Sequence, residues 1–128
     1  LVFDTTIQLD TYESIQFVIN PKTYEIVNVD GTIKKGFNNN IQKCYKKMEE
    51  IYSELKNNFP NGTEIRGKEE KHAYNENSLS KKHELLLNNG RMSVRCTDWA
   101  KETNIKDGLV VSVGSDEYHS WLNKEAYK

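Results

Sequence analysis

Two cysteines are the residues best suited to chemistry in this sequence. Cys44 lies among apolar residues at helical spacing, and Cys96 alternates with Met92 and Val94, as residues on the buried face of a strand do. Two core-facing cysteines in different elements predict a disulfide between helix and sheet, and two unpaired thiols that act as small hydrophobic groups are the alternative. We favour the bond. No Cys-x-x-Cys occurs, so neither a zinc knuckle nor a dithiol redox motif is predicted.

Acid–base or metal chemistry would need His, Asp and Glu side chains that are brought together. His72, His83 and His119 are far apart, and none lies at ligand spacing from another histidine or cysteine, so we predict no metal site and no cofactor. Several carboxylates are adjacent in sequence, and neighbours on a helix are rotated by about 100°, so these pairs predict solvated faces rather than an acid–base dyad. They are Glu49–Glu50, Glu69–Glu70 and Asp116–Glu117.

No catalytic residue is predicted. The sequence contains no Gly-x-Ser-x-Gly motif. Asp98 follows Cys96 closely, but a reactive thiol needs an exposed, electropositive setting, and the alternation around Cys96 predicts burial. A hydrolase whose site assembles from dispersed Asp, Glu and His residues stays as the alternative. A deep pocket that gathers His83 or His119 with a carboxylate would favour it.

Trp99, Asp98 and Trp121 are the candidate interface residues. Trp99 directly follows a predicted strand end, where a tryptophan either covers the core or forms an exposed anchor, and the few large apolar residues of the chain favour the core. Trp121 shares one side of a short final helix with Tyr118 and Leu122. A flat surface with an exposed aromatic and acidic patch would favour a binding module.

A glycosylation sequon, Asn61-Gly62-Thr63, follows the helix-ending Pro60. Its position predicts a loop. The motif has a chemical meaning only if the chain passes through a eukaryotic secretory pathway.

An amphipathic helix is the clearest predicted element. Asn38-Asn39-Asn40 offers an N-cap, and Pro60 with Gly62 ends the helix. Lysines and glutamates fill the positions between the apolar ones, so one stripe is buried. The stripe consists of Phe37, Ile41, Cys44, Tyr45, Met48, Ile51, Tyr52, Leu55 and Phe59.

The other segments predict antiparallel strands. Val2 to Leu9, Ser14 to Ile19 and Tyr24 to Val29 are rich in β-branched and aromatic residues, and Asp30-Gly31 is predicted to close this unit. Asn20-Pro21-Lys22-Thr23 predicts a hairpin turn.

The second half of the chain predicts further strands and a long polar link. The predicted strands are Thr63 to Lys68, His83 to Leu87, Arg91 to Thr97 and Leu109 to Val113. Asn88-Asn89-Gly90 predicts a hairpin, although Leu79 to Leu87 is also compatible with a short helix. The charged segment Lys68 to Lys82 predicts a mobile connection, and Ser115 is expected to cap the final helix.

Composition narrows the function classes. A net charge of −1, with 18 basic and 19 acidic residues mixed along the chain, lacks the basic excess of nucleic-acid binders. No apolar run approaches the roughly 20 residues of a membrane span. The length of 128 residues predicts one domain over residues 1–128. The chain begins at Leu1, as a processed or trimmed protein does.

Together these patterns predict an α+β fold, an antiparallel sheet of about six to seven strands against one long helix, with a short C-terminal helix. The predicted function is a small non-enzymatic protein-binding module, of the kind found among secreted or periplasmic inhibitors and immunity proteins. Its partner would be another protein, without nucleic acid or a membrane span. The disulfide argues for a secreted or periplasmic location, and a cytoplasmic one is the alternative.

Overall fold

The computed structural model describes the backbone of residues 2–5 and 11–126 and the side chains of residues 11–124. Eight antiparallel strands and one long helix dominate, so the predicted α+β class is confirmed. The elements in chain order are β1 (Val2–Thr5), β2 (Ser14–Ile19), β3 (Ile26–Ile33), α1 (Ile41–Asn58), β4 (Thr63–Arg66), β5 (Glu70–His72), β6 (Asn75–Leu87), β7 (Gly90–Asp98), a 3₁₀ turn (Lys101–Thr103), β8 (Gly108–Ser115), α2 (Asp116–Trp121) and a π-helical turn (Leu122–Ala126).

The strands form one sheet in the order β1-β2-β3-β8-β7-β6-β4, and β5 pairs with β6 beside β4. Strands β6, β7 and β8 follow one another as a meander, whereas β8 returns to pair with β3 and thereby joins the two halves of the chain. No described helix is long and apolar enough to cross a membrane.

Helix α1 forms where the predicted stripe places it. The Asn40 side chain accepts a hydrogen bond from the Lys43 N–H, which satisfies one of the amides left free at a helix start. The helix ends before Pro60, and the Phe59 N–H still bonds to the Leu55 carbonyl. Phe37, the first residue of the stripe, is buried in the turn ahead of the helix rather than within it.

The core lies between α1 and the sheet. Met48 and Tyr52 of the helix are almost fully buried, and the Tyr52 hydroxyl donates to the Glu84 carbonyl at 2.8 Å. Ile51 is 7% exposed, and Leu55 packs half-buried at the margin. The sheet contributes Ile33, Leu85, Met92, Val94, Cys96, Leu109 and Val111, which alternate with residues on the opposite face.

The opposite face, which we call the outer face, is polar. One row across four strands places Asp30, Ser112, Ser93 and Glu84 side by side. Helix α2 packs at one end of this face, and the Ser115 hydroxyl caps it by accepting the Tyr118 N–H, as predicted. Gly114 permits the close approach of α2, since a Cβ there would lie 2.9 Å from His119 Nε2.

Two predicted boundaries are wrong for the same physical reason. Strand β3 continues through Asp30-Gly31 to Ile33 instead of closing there, because β2 on one side and β8 on the other supply hydrogen-bonding partners along this stretch. The segment Lys68 to Lys82 is not a connection, since it contains β5 and the first part of β6, which pair with each other and with β7. Pairing with distant strands overrides the turn-like and charged composition.

Three further predictions concern β6, the β6–β7 hairpin and β1. Leu79 to Leu87 belongs to strand β6, so the helical alternative is wrong. The β6–β7 hairpin forms at Asn88-Asn89, one residue earlier than an Asn-Gly turn. The first predicted strand is confirmed over Val2–Thr5, and its continuation to residue 9 lies outside the described residues.

Candidate functional site

The predicted disulfide is formed. Cys44 of α1 and Cys96 of β7 are bonded, their Cα atoms lie 6.1 Å apart, and both residues are fully buried. The bond therefore fastens the long helix to a central strand. Because the residues are 52 positions apart, it closes a long loop, which also contains β4, β5 and β6.

His83 forms a buried contact with a carboxylate, and both of its ring nitrogens have partners within the fold. The residue is 2% exposed. Its Nδ1 accepts the Gly67 N–H at 3.1 Å, and its Nε2 lies 2.7 Å from Glu49 Oε1. The accepting Nδ1 places the proton of the neutral ring on Nε2, which donates to Glu49. Both ring nitrogens are thus engaged within the fold.

Glu49 completes this contact from α1. Its second oxygen receives a hydrogen bond from the Arg66 guanidinium of β4 at 2.9 Å. Burial raises the pKa of Glu49, but the hydrogen bonds from His83 and Arg66 outweigh it and hold that pKa below its ordinary value. We call Glu49, Arg66 and His83 the helix–sheet clamp, because they tie α1 to β4 and β6.

His119 lies on α2 against the outer face. Burial lowers its pKa, and so does the positive charge of Arg91. Its Nε2 is buried without a hydrogen-bond partner among the described residues, and no carboxylate is bonded to the ring. The two sequence-selected histidines therefore lie on different faces of the sheet. In the described part of the chain, no group of three or more His, Cys, Asp or Glu residues could hold a metal ion.

Asp98 ends β7 and Trp99 follows it, and the Trp99 ring packs on the His72 ring, which in turn contacts Tyr74. The Trp99 ring lies 4.4 Å from the His72 ring, measured between centroids, and His72 lies 5.6 Å from the Tyr74 ring. Tyr74 is 80% exposed, whereas Trp99 is half-buried, so Trp99 neither fills the core nor stands free. We call His72, Tyr74 and Trp99, together with their chain neighbour Asp98, the Trp99 patch. Asp98 shares the alternation of Cys96, so its carboxylate lies on the α1 side of the sheet, near Glu69 and Tyr45.

Hydrogen bonds fix the backbone beneath this patch. The Trp99 N–H donates to Asp107 Oδ1 at 2.7 Å, and the Ala100 N–H donates to Ser78 Oγ at 2.8 Å. Both acceptors are buried. Since Cys96 of the disulfide lies only two residues before Asp98, the patch is carried by a rigid part of the fold.

Negative charge borders the patch. Burial raises the pKa of Asp98, and the nearby carboxylates of Asp107 and Glu69 raise it further. The Tyr45 hydroxyl donates to Glu69, and burial together with this bond raises the pKa of Tyr45. An ionised Asp98 is therefore surrounded by like charge, so its environment favours the approach of a cation.

Trp121 lies apart from the Trp99 patch, at the opposite end of the sheet. The Asp116 N–H bonds to the Asn89 carbonyl, which places α2 beside the start of β7. Trp99 follows the other end of that strand, about 30 Å away at roughly 3.4 Å per residue. Trp121 instead borders a shallow groove of about 390 Å³ between α2 and the β2–β3 hairpin, which Asn20 and Glu117 bridge by a 2.8 Å hydrogen bond.

His72 and Tyr74 are the patch residues that sequence reasoning missed. They lie inside the segment Lys68 to Lys82, where the charged composition concealed a strand pair. The sequence contained one signal, which is that the two aromatic rings lie two residues apart, as on one face of a strand. It becomes informative only once β5 and β6 are known to turn back on each other at this point.

Comparison of the chain with protein-family models, with curated proteins and with solved structures finds no match.

Proposed function

We propose that this protein is an exported, non-enzymatic binding module that engages another protein through the Trp99 patch. The carrying observation is the aromatic cluster of His72, Tyr74 and Trp99, in which Tyr74 is 80% exposed and Trp99 follows a strand fixed by a buried disulfide. Aromatic residues on a rigid support are the usual anchors of protein interfaces, since they bury much area and lose little conformational freedom.

The charge of the patch defines the partner chemically. Asp98 lies within the repulsive influence of Asp107 and Glu69, and Glu102 accepts hydrogen bonds from Asn75 and Asn77 nearby. A partner that presents a lysine or arginine would relieve the repulsion at Asp98. The exposed ring of Tyr74 offers a separate contact for a second cationic side chain of the partner.

The placement of the histidines supports a binding role over the hydrolase. Both ring nitrogens of His83 make contacts within the fold, and His119 Nε2 has no hydrogen-bond partner among the described residues. General acid–base catalysis needs a ring nitrogen within reach of a substrate proton. The groove beside Trp121 contains neither of these histidines.

The disulfide supports export. Bonds of this kind form and persist in oxidising compartments and are rare in the cytosol. Cys44 and Cys96 are fully buried and bonded, so their pairing belongs to the folded core rather than to a surface redox switch.

The test compares two equally exposed tyrosines. Tyr74 belongs to the patch and Tyr24 lies on the distant β2–β3 hairpin, with exposures of 80% and 81%. Immobilised wild type, Tyr74→Ala and Tyr24→Ala would be incubated with extract from the source tissue or culture, and captured proteins identified by mass spectrometry. We expect a partner whose affinity falls at least about tenfold with Tyr74→Ala and not with Tyr24→Ala.

Asp98→Lys should weaken the same complex and alter its salt dependence, because it replaces attraction to a basic partner by repulsion. Equal capture by wild type, Tyr74→Ala and Asp98→Lys, with all three proteins folded by circular dichroism, would reject the patch as the interface. Turnover of a substrate that survives both substitutions would reject the non-enzymatic role.

A further inference from the structure

The turn between α1 and β4 presents the sequon on a rigid support. The Gly62 N–H donates to the Phe59 carbonyl at 3.1 Å, which closes a four-residue turn with Pro60 at its second position. The Lys56 ammonium also bonds to the carbonyls of Pro60 and Gly62, at 3.3 and 3.0 Å. The turn projects from the fold at the third position, which Asn61 occupies.

The two residues of the sequon that must be accessible for modification are exposed, and the residue between them is buried. Asn61 and Thr63 are exposed, whereas Gly62 between them is buried. A Cβ on Gly62 would lie 2.6 Å from Leu85 Cγ, so the middle residue is pressed against the core. The Asn61 amide and the Thr63 hydroxyl, the two groups that define an acceptor, therefore face solvent. Asn61 is the only one of 14 asparagines in such a motif.

The strand that follows the sequon has an unprotected side. Strand β4 is the last strand on the sheet path, so its edge away from β6 pairs with no other described strand. All four of its residues are exposed, including Ile65 at 44%. Glu64 and Arg66 already place charge on this short edge, which leaves Ile65 as its exposed apolar residue and the one that bulk could still cover.

We propose that Asn61 carries an N-linked glycan that shields the β4 edge. The donor is a lipid pyrophosphate-linked oligosaccharide. The Asn61 amide nitrogen forms the new bond to the anomeric carbon of the first sugar, the bond from that carbon to the pyrophosphate breaks, and lipid pyrophosphate and a proton leave. The buried disulfide fits the same oxidising route. The sugar, attached two residues before β4, covers the approach to Ile65.

The first experiment tests attachment. The chain would be secreted from insect cells, and its intact mass measured before and after peptide N-glycosidase treatment. We expect a glycan mass on wild type, on Thr63→Ser and on Asn58→Gln, the last a nearby exposed asparagine outside the motif. Asn61→Gln and Thr63→Ala should have the bare mass. Secreted, disulfide-bonded wild type with the bare mass would overturn the proposal.

The second experiment tests shielding on protein that has already folded. Glycosylated protein would be compared with the same sample after enzymatic deglycosylation, and self-association followed by light scattering during mild heating. We expect earlier self-association without the glycan and its suppression by Ile65→Lys. Identical scattering of the two forms would overturn the shielding role, whatever the outcome of the binding test on Tyr74.

Discussion

Removal of the disulfide should cost a large part of the stability of this protein. The bond constrains a loop of 52 residues in the unfolded chain. Chain-entropy estimates give a loss of about 4 kcal/mol for a loop of this length. Domains of ordinary stability have roughly 5–15 kcal/mol in total, so a quarter or more would be lost.

Reduced wild type isolates this effect from packing. It keeps both sulfur atoms in the core, whereas Cys44→Ala with Cys96→Ala vacates two fully buried positions and should lose somewhat more. Guanidinium unfolding of the oxidised, reduced and double-alanine forms would be followed by far-ultraviolet circular dichroism. A loss of about 4 kcal/mol corresponds to a melting temperature lower by roughly 12–20 °C for a domain of this size.

A difference below about 1 kcal/mol between oxidised and reduced wild type would refute the reasoning, because it would mean that the unfolded ensemble gains little freedom from reduction. The rate of reduction is a further check. Since both cysteines are fully buried, reductant without denaturant should act only as fast as the protein opens.

The other predictions concern single side chains. Ile51→Ala should destabilise by about 2–5 kcal/mol because it empties a core position, and a measured loss under about 0.5 kcal/mol would mean that the site is not packed. Gly114→Ala should cost about 1–3 kcal/mol by calorimetry, because its Cβ would meet Asn28 Oδ1 at 2.6 Å. The pKa of Glu49 is lowered on folding, so ionised Glu49 stabilises the folded state fully above the unfolded pKa near 4.3, and this contribution is lost as the pH falls through the folded pKa. Acid unfolding of Glu49→Gln should therefore depend less on pH than that of wild type. Identical acid-unfolding profiles of the two proteins would contradict the helix–sheet clamp. The pKa of Asp98 is raised, so its ionised form destabilises the folded state above that pKa. Asp98→Asn should therefore have a higher melting temperature than wild type at pH about 7 and the same melting temperature at pH about 3. A lower melting temperature of Asp98→Asn at neutral pH would contradict the charge argument.

Elements specified by nearby residues could be predicted from the sequence. The stripe through Cys44 and Met48, with the Asn40 cap, is a local pattern that repeats over five turns, and the structure places α1 accordingly. Ser115 as a cap for α2 is equally local. The disulfide was predictable because both partners lay in periodic segments, which indicated that each faced the core.

Elements stabilised by distant partners could not be predicted in the same way. Strand β3 pairs on one side with β2 as far as Thr32 and on the other side with β8, about 80 residues later, as far as Ile33. Strand β5 and the start of β6 are rich in charged and amide side chains, and most of these residues are exposed. Charge in such a strand is compatible with water and with pairing, but it hides the alternation that marks strands elsewhere.

The candidate site likewise contains residues that could be predicted from local sequence and residues that could not. Trp99 and Asp98 could be identified because they lie at the end of a recognisable strand, whereas the β5–β6 turn is what brings His72 onto the Trp99 ring. Trp121 was grouped with Trp99 by residue type alone. Antiparallel pairing of β7 with β8 separates them, since it carries the end of β8 and α2 back to the start of β7.

The charge of Asp98 destabilises the free protein and favours the binding of a basic partner. Asp107, which is 3% exposed, cannot be moved away from it, because its two oxygens accept the N–H groups of Trp99 and Asn39 and so hold the loop beneath the patch. The fold therefore keeps a second carboxylate, Asp98, in a place that raises its pKa and weakens the folded state at neutral pH. The disulfide at Cys96 supplies a larger stabilisation two residues away. The fold tolerates the unfavourable charge of Asp98, and a basic partner can neutralise that charge. The gain in binding free energy should therefore be largest at Asp98, the residue that destabilises the free protein most.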